Sequence, residues 1–353
     1  MRLSEAKGID INMKNYIWIT IANIVACLGV VILHANGIFW SFPSGHLWYT
    51  ANFLETFFYW PVPVFFMISG ATLIDYREKY STKTFFIKRM QRTLIPFIAW
   101  SIFSVVYRYT MCGWGGEGLK DIIIGIFNTK YNSIYWFFLP LFGVYMSIPL
   151  LAAVDKNIRI PLFTFLSIVT FVLSSLLPTV FALLHLQYNS EIQIPITTGY
   201  ILYVLLGYII KNTDIKRMTR YLSYVLALLA WYIQYEGTNR LSLPAGEIVG
   251  TFKGYLNFPA VIQAVGVMIF FKYCPWERFL SDNIQRASKN VAKYTFGIYL
   301  IHMYLVEQLP ILTGVNSSSF WWRTLGAVLI FGISAGICWG ISKIPVLKKC
   351  VGL

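Results

Sequence analysis

The sequence predicts an all-α, polytopic integral membrane protein of about ten transmembrane helices, with both termini cytoplasmic. Its 353 residues are 57% hydrophobic and only 12% charged, and the mean hydropathy is +0.61. Soluble domains carry about 25% charged residues, so this chain has too little polarity to cover a surface in water. Apolar runs of spanning length recur along the chain, and basic residues concentrate in alternate connecting segments.

Ten apolar runs, separated by polar segments, define the predicted spans. They lie at residues 16–35, 49–74, 93–111, 134–154, 160–183, 194–210, 221–235, 254–272, 294–313 and 320–342. A span needs about 20 apolar residues, and the seventh run is the shortest of the ten. A further apolar piece, Ile122–Phe127, is expected at the outer surface. Because no polar stretch is long enough for a soluble domain, residues 1–353 are predicted to form one membrane domain.

The first run shows how the chain enters the membrane. It extends from Tyr16 to Ala35 and lacks the small-residue cleavage site of a secretory signal, so a retained helix is predicted. Met13 is an alternative start, and therefore no prediction rests on residues 1–12.

The formal net charge of +14 has two candidate explanations, nucleic-acid binding and membrane topology. With the N-terminus inside, 23 of the 29 Lys and Arg residues fall in segments predicted to be cytoplasmic. This asymmetry follows the positive-inside rule, so it supports the orientation and argues against a nucleic-acid partner. The five cysteines show neither CxxC pairing nor metal-ligand spacing, so we expect free thiols and no metal site.

Ionisable residues at membrane depth mark functional sites by default, and four stand out: His34, Glu55, Arg108 and His302. Counted at about 1.5 Å per residue, the first three share a level near the outer surface. We therefore expect Glu55 to offset the charge of Arg108 and to orient His34. An interfacial histidine beside a structural ion pair is the alternative. His302 is expected near mid-membrane in line with Tyr299, where a lone histidine bonded to a neighbouring helix would explain it equally well.

Further polar residues extend this track toward the cytoplasm. Asn23 precedes His34 by eleven residues, about three helical turns, so both side chains lie on one face. Arg89 and Arg92 precede the third span and share a helix face, a geometry that suits a phosphate clamp. Ordinary positive-inside charge would explain the two arginines equally well. Ser69, beside a glycine at the end of the second span, permits close backbone approach.

Five short motifs follow one another at matching span positions. They are Val30-Val31-Ile32-Leu33-His34; FFMISG at 65–70; Arg89-x-x-Arg92 followed by Pro96; Tyr135-Trp136-Phe137-Phe138 leading to Tyr145 and Pro149; and Gly297-Ile298-Tyr299-Leu300-Ile301-His302. Together they resemble the membrane acyltransferase-3 family, bacterial enzymes that acylate cell-surface sugars. The resemblance runs from the first span to the ninth. Many relatives carry a further esterase-like domain, whereas this sequence predicts a stand-alone membrane domain.

The resemblance implies an acyl-coenzyme A donor bound from the cytoplasm and transfer to a hydroxyl at the outer face. His34 matches the family's first-span catalytic histidine, and Arg89 and Arg92 match the paired arginines associated with donor use. The family usually has arginine where this chain has Asn23, a departure that removes a permanent charge. We assign Asn23 and Ser69 to donor binding together with the arginine pair.

Three other residues are assigned a substrate-binding or structural role. Trp136 and Tyr299 lie in the shared motifs, and Arg108 carries a charge at membrane depth. Arg108 is a candidate to replace the family arginine missing at Asn23, although its expected depth is closer to that of His34.

Residues and resemblance together predict a membrane-bound O-acyltransferase of the bacterial cytoplasmic (inner) membrane. Its donor would be acetyl-CoA or another acyl-CoA, with no metal, and its acceptor a hydroxyl of an extracytoplasmic glycan or lipid-linked sugar. We expect His34 to act as general base, a role worth about 10²–10⁴ in rate. Glu55 and His302 are further catalytic candidates. An acyl-His34 intermediate is the alternative mechanism.

Two other function classes fit the same architecture. A transporter or flippase for lipid-linked sugars or small acids would also use a ten-span bundle with polar residues at its midplane. It would not need a phosphate clamp aligned with an outer base, so binding of acyl-coenzyme A discriminates between the two. An inactive scaffold or sensor derived from the family is the third interpretation, and the absence of the family arginine at Asn23 keeps it open.

Overall fold

The computed structural model of this protein describes residues 17–353, and it is all-helical, with no strand in that range. The predicted all-α, polytopic membrane fold is therefore confirmed. Seven helical segments are long and apolar enough to cross a membrane by length and composition. The count of ten spans and the cytoplasmic ends stay predictions. The predictions made for Met13, Tyr16 and the N-terminal basic residues concern positions outside the described part of the chain.

The first half of the bundle contains six helices. They are α1 (Ile17–Ala35), α2 (His46–Phe57), α3 (Pro61–Leu73), α4 (Thr82–Met111), α5 (Leu119–Phe127) and α6 (Ser133–Leu151). A π-helical turn, Met90–Leu94, lies within α4. Helix α5 buries only Gly125, so its apolar face is unpaired, in keeping with the surface position expected for Ile122–Phe127.

Seven helices follow in the second half. They are α7 (Lys156–Leu183), α8 (Ile201–Asn212), α9 (Arg217–Ala245), α10 (Phe258–Tyr273), α11 (Asp282–Ala292), α12 (Thr295–Thr313) and α13 (Trp322–Ser342). A short 3₁₀ helix, Leu347–Val351, comes after α13. Each of the ten predicted spans therefore coincides with a helix, but two of them differ from the continuous rods that the sequence predicted.

The second span is broken rather than continuous. Helix α2 ends at Phe57 and α3 begins at Pro61, so residues 58–60 are irregular. Pro61 lacks an amide hydrogen and disfavours helical backbone in the residue before it, which accounts for the break. Irregular backbone at membrane depth is tolerated where protein surrounds it. Tyr59 and Trp60 are both buried accordingly.

The sixth span is shorter than predicted. Residues 194–200 form turns that include Pro195 and Gly199, whose φ of +68° lies in the left-handed region, and the helix begins only at Ile201. At about 1.5 Å per residue, the 12 residues of α8 reach about 18 Å, less than the hydrocarbon thickness of about 30 Å. Helix α8 is buried among its neighbours instead of crossing alone.

Helices α3 and α8 cross at backbone contact. A Cβ atom on Gly70 would lie 1.9 Å from the Val204 carbonyl oxygen, and one on Gly207 would lie 1.9 Å from the Met67 carbonyl oxygen. Only glycine fits at either position, a common device in membrane helix pairs. This contact explains physically why the FFMISG segment ends in glycine.

A lysine caps the end of α8. The Lys272 ammonium, on α10, donates hydrogen bonds to the carbonyl oxygens of Ile210, Lys211 and Thr213 at 2.7, 3.1 and 2.8 Å. Carbonyl groups in the last turn of a helix have no partner within the helix, so an ammonium group satisfies several at once. This cap ties α10 to the end of α8.

Candidate functional site

The cavity that contains His34 lies between α1, α3, α6 and α12 and has a volume of about 190 Å³. Apolar and aromatic side chains form most of its wall, and no Lys, Arg, Asp or Glu of residues 17–353 lines it. Asn23 and His34 both face it from α1. Because they are eleven residues apart, the cavity extends about 16 Å along that helix.

His34 contacts a second histidine at its end of the cavity. Its Nδ1 atom lies 2.6 Å from Nε2 of His302, which is fully buried on α12. The ring centroids are 4.9 Å apart, much farther than these nitrogens, and the ring planes differ by 17°. The rings therefore meet edge to edge, in nearly one plane, as an in-line hydrogen bond requires.

The main chain determines which nitrogen carries each proton in this pair. Nδ1 of His302 lies 3.1 Å from the Ile298 carbonyl oxygen, which can only accept, so Nδ1 is the protonated nitrogen of His302. Nε2 of His302 is then an acceptor in the neutral ring, and Nδ1 of His34 donates to it. In neutral His34 the remaining nitrogen, Nε2, keeps its lone pair, as a base requires.

The two neutral residues assigned to donor binding both line the cavity. Asn23 donates from Nδ2 to the Thr295 hydroxyl at 2.9 Å, and that hydroxyl donates to the Ala292 carbonyl oxygen. Ser69 donates to the Phe65 carbonyl oxygen at 3.0 Å, one turn earlier on α3. At position 23, where the resemblance described above implies an arginine, the wall of this cavity is therefore an uncharged amide.

The two arginines of the predicted clamp differ in their surroundings. The Arg89 guanidinium lies 5.7 Å from the ring centroid of Tyr145, a cavity-lining residue, and its buried Nε has no hydrogen-bond partner among residues 17–353. Arg92 is exposed. The π turn over Met90–Leu94 lies between Arg89 and the rest of α4 and widens the helix there, so the regular i, i+3 spacing assumed from the sequence does not apply.

The expected pairing of Glu55 with Arg108, and of Glu55 with His34, is wrong. Glu55 on α2 accepts a hydrogen bond at 2.8 Å from Lys253, and both side chains are buried. A buried carboxylate needs an opposite charge within contact distance, and Lys253 supplies it from the segment before α10. The group that contacts His34 is His302 instead.

Arg108 pairs with a residue that the sequence reasoning did not single out. Its Nη1 and Nη2 donate to the two carboxylate oxygens of Glu307 at 3.0 and 2.7 Å, and its Nε donates to the Tyr131 carbonyl oxygen. This bidentate pair joins α4 to α12 and does not line the cavity, so Arg108 does not replace the charge missing at Asn23.

Trp136 and Tyr299 line the cavity from α6 and α12. The Tyr299 hydroxyl donates to the Ile134 carbonyl oxygen, which ties α12 to the start of α6. The Trp136 ring lies parallel to that of Tyr255, with 5.5 Å between centroids. Tyr299 thus has a structural contact, whereas the indole N–H of Trp136 has no hydrogen-bond partner within the described chain.

The sequence did not lead us to Glu307 or Lys253, although the rule that identified Arg108, an ionisable group at membrane depth, applies to both. Glu307 falls inside the ninth predicted span, 294–313, and Lys253 lies one residue before the eighth, so both are ionisable groups at or near membrane depth. Tyr255, which also lines the cavity, carried no comparable signal, because tyrosine is common at membrane interfaces.

Comparison with known proteins identifies one family. A family model described as an acyltransferase domain, that of the acyltransferase-3 family, matches residues 16–341. No curated protein and no solved structure matches the chain.

Proposed function

This chain belongs to the acyltransferase-3 family of membrane-bound acyltransferases, and we propose that it transfers an acyl group, acetyl in the first instance, from acyl-coenzyme A to a sugar hydroxyl. The acceptor in this proposal is a cell-surface or lipid-linked glycan. The observation that carries the proposal is the His34–His302 pair, in which the half-buried His34 faces a cavity that extends toward Arg89.

His34 is the general base in this mechanism. Its Nε2 takes the proton of the acceptor hydroxyl while the hydroxyl oxygen attacks the thioester carbonyl. The carbon–sulfur bond then breaks, and the coenzyme A thiolate leaves and takes the proton from the His34 imidazolium. No proton is gained or lost by the enzyme over the cycle. His302 holds His34 in the required tautomer and shares the positive charge that forms on it.

The donor enters at the Arg89 end of the cavity. Coenzyme A carries several phosphate charges and cannot be buried in an uncharged cavity, so its nucleotide stays outside near Arg89 and Arg92. The unpartnered Nε of Arg89 supports this assignment, because an arginine atom buried without an acceptor is unusual and a phosphate oxygen would satisfy it. The slender pantetheine arm passes Asn23, whose amide group matches the amides of that arm, and brings the thioester toward His34.

The test uses purified protein in vesicles, with labelled acetyl-CoA and a glycan fraction of the bacterial envelope. His34→Ala is expected to lower acetyl incorporation into glycan by about 10²–10⁴-fold while donor binding, followed as a thermal shift, persists. The double variant Arg89→Ala, Arg92→Ala is expected to lose donor binding, most strongly at low salt.

The matched control is Arg217→Ala with Arg278→Ala, which removes the same charge from segments away from the cavity. It should bind acetyl-CoA as the unmodified protein does. Full transfer by the His34 variant would refute the base assignment. Equal donor binding by the two double variants would refute the clamp.

A further inference from the structure

Three aromatic rings form a column that ends at the cavity. Tyr59 and Tyr255 are parallel, with 4.4 Å between centroids and 10° between planes, and Tyr255 is parallel to Trp136 at 5.5 Å and 18°. Tyr255 and Trp136 both line the cavity that contains His34. Tyr59 comes from the irregular residues between α2 and α3, so the break in that span places one ring of the column.

The other end of the column reaches the protein surface. The Lys253 ammonium lies 4.7 Å from the ring centroid of Tyr59 and 4.0 Å from that of Trp40. Trp40 is 63% exposed. The exposed Trp40 and the column are therefore linked through the Lys253 ammonium of the buried ion pair, and the column leads from there to the cavity wall.

Several polar groups along this column have no partner in the protein. Within residues 17–353, neither the hydroxyls of Tyr59 and Tyr255 nor the indole N–H of Trp136 forms a hydrogen bond. The second carboxylate oxygen of Glu55, Oε2, is buried and also unpartnered. The Lys253 ammonium, which binds Glu55 at 2.8 Å, lies 4.7 Å from the ring centroid of Tyr59, so Glu55 lies beside the column. Of these groups the Glu55 Oε2 atom is buried, and buried polar groups are almost always satisfied. This atom and the three unpartnered donors beside it therefore indicate a ligand that completes them.

The chemistry of these groups specifies the class of ligand. Tyr59 and Trp136 cover the two faces of Tyr255, so the column offers a ligand the polar groups on its ring edges. The hydroxyl and indole groups are neutral, and the carboxylate oxygen of Glu55 is an acceptor. A molecule with several neutral hydroxyl groups, each of which can donate and accept, satisfies them, and a carbohydrate is such a molecule. An anionic ligand is disfavoured, because Lys253 is already paired with Glu55.

We propose that the column Tyr59–Tyr255–Trp136, together with the free oxygen of Glu55, is the subsite that binds the acceptor carbohydrate and guides it to His34. This inference rests on the proposed function, because a bound sugar is acylated only if His34 acts on a donor in the same cavity. It gives Glu55 a role in acceptor recognition, where the sequence suggested a role in orienting His34.

The test compares two kinds of acceptor with labelled acetyl-CoA. The first kind is the methyl glycosides of glucose, galactose and N-acetylglucosamine, and the second is 1-hexanol, which has one hydroxyl and no ring. The unmodified protein is expected to prefer a glycoside. Tyr59→Phe and Tyr255→Phe keep the stacked rings and the Glu55–Lys253 pair but remove one hydroxyl each. Each is expected to raise KM for the glycoside by about 3–10-fold and to leave KM for hexanol and for acetyl-CoA unchanged.

Tyr224→Phe is the matched control, since Tyr224 is a half-buried tyrosine on α9 that does not line the cavity. It should change neither acceptor constant. The inference is overturned if both column variants keep the glycoside preference of the unmodified protein, or if hexanol is the better acceptor from the start. Absence of acetyl transfer to any acceptor, glycan fraction included, would instead refute the proposed function.

Discussion

At the scale of single residues, the direction of one hydrogen bond decides what His34 can do. The Ile298 carbonyl fixes the proton on Nδ1 of His302, and this leaves Nε2 of His302 to accept from His34. If the His34–His302 hydrogen bond ran in the opposite direction, the proton of neutral His34 would lie on Nε2, the nitrogen that has to act as the base. The mechanism therefore depends on a main-chain oxygen one turn before His302 as well as on the two side chains.

His302→Ala should leave the Nδ1–H group of His34 without an acceptor, and we expect kcat to fall by about 10²-fold or more. His302→Gln can offer an amide oxygen to the same proton and should retain more activity than the alanine variant. The pH dependence of kcat/KM is the second measurement. It reports the ionisation of His34, which a change in packing alone would not alter. An unchanged rate and pH profile in His302→Ala, with an unchanged melting temperature, would exclude this role of His302.

The residues of the candidate site were only partly accessible to sequence reasoning. Histidines 34 and 302 are visible because ionisable groups at membrane depth are rare. Their contact is not visible, since it joins helices 268 positions apart in sequence. The pairing of Glu55 was misassigned for the same reason. Estimated depth places two charges at one level but says nothing about which helices are neighbours.

At the scale of helices, the crossing of α3 and α8 is the contact with the least tolerance. The main chains touch at Gly70 and Gly207. At each glycine, a carbonyl oxygen of the partner helix occupies the space that a Cβ atom would need. Helix α3 also carries Phe65 and Ser69 into the cavity wall. A shift at the crossing would therefore move one wall of the site.

Gly207→Ala should force α3 and α8 apart, because the added Cβ would overlap the Met67 carbonyl group. We expect a loss of stability of about 1–3 kcal/mol or more, seen as a lower melting temperature in detergent. Gly336→Ala on α13 is the control, since its Cβ would meet no atom within 4 Å. That variant should be neutral or slightly stabilised through its higher helix propensity. Equal melting temperatures for the two variants would show that the crossing is not tight.

The helices themselves were predictable because apolar length is a local property of the sequence. All ten runs coincide with helices, and the two departures occur at proline and glycine, at Pro61 and at Pro195 with Gly199. The sequence contains these residues, yet membrane helices often tolerate them, so their presence alone does not decide between a kink and a break. Whether the helix kinks or breaks at such a residue depends on how it packs against the neighbouring helices.

At the scale of the whole molecule, the proposed function has a direction. Donor and acceptor would approach the same cavity from opposite ends, one past Arg89 and the other past Trp40. This arrangement requires the two ends to open on opposite sides of the membrane. The positive-inside distribution predicts that the Arg89 end is cytoplasmic.

Two native cysteines allow this orientation to be measured. Cys112 follows the end of α4 and Cys274 follows the end of α10, on segments predicted to face opposite sides. In bacterial spheroplasts, a membrane-impermeant maleimide should label a variant that keeps only Cys112. A variant that keeps only Cys274 should react only after permeabilisation. The reverse pattern would invert the orientation and, with it, the assignment of donor and acceptor ends.

The uncharged wall of the cavity has a consequence for the membrane that surrounds the protein. A passage that delivers an acyl group across a bilayer is also a potential leak for ions. An ion in this cavity would lose its hydration shell and meet no opposite charge, a cost of at least several kcal/mol. A thioester with a neutral acyl group meets no such barrier. The replacement of a permanent cation by Asn23 is thus compatible with passage of the acyl group while the electrical insulation of the membrane is kept.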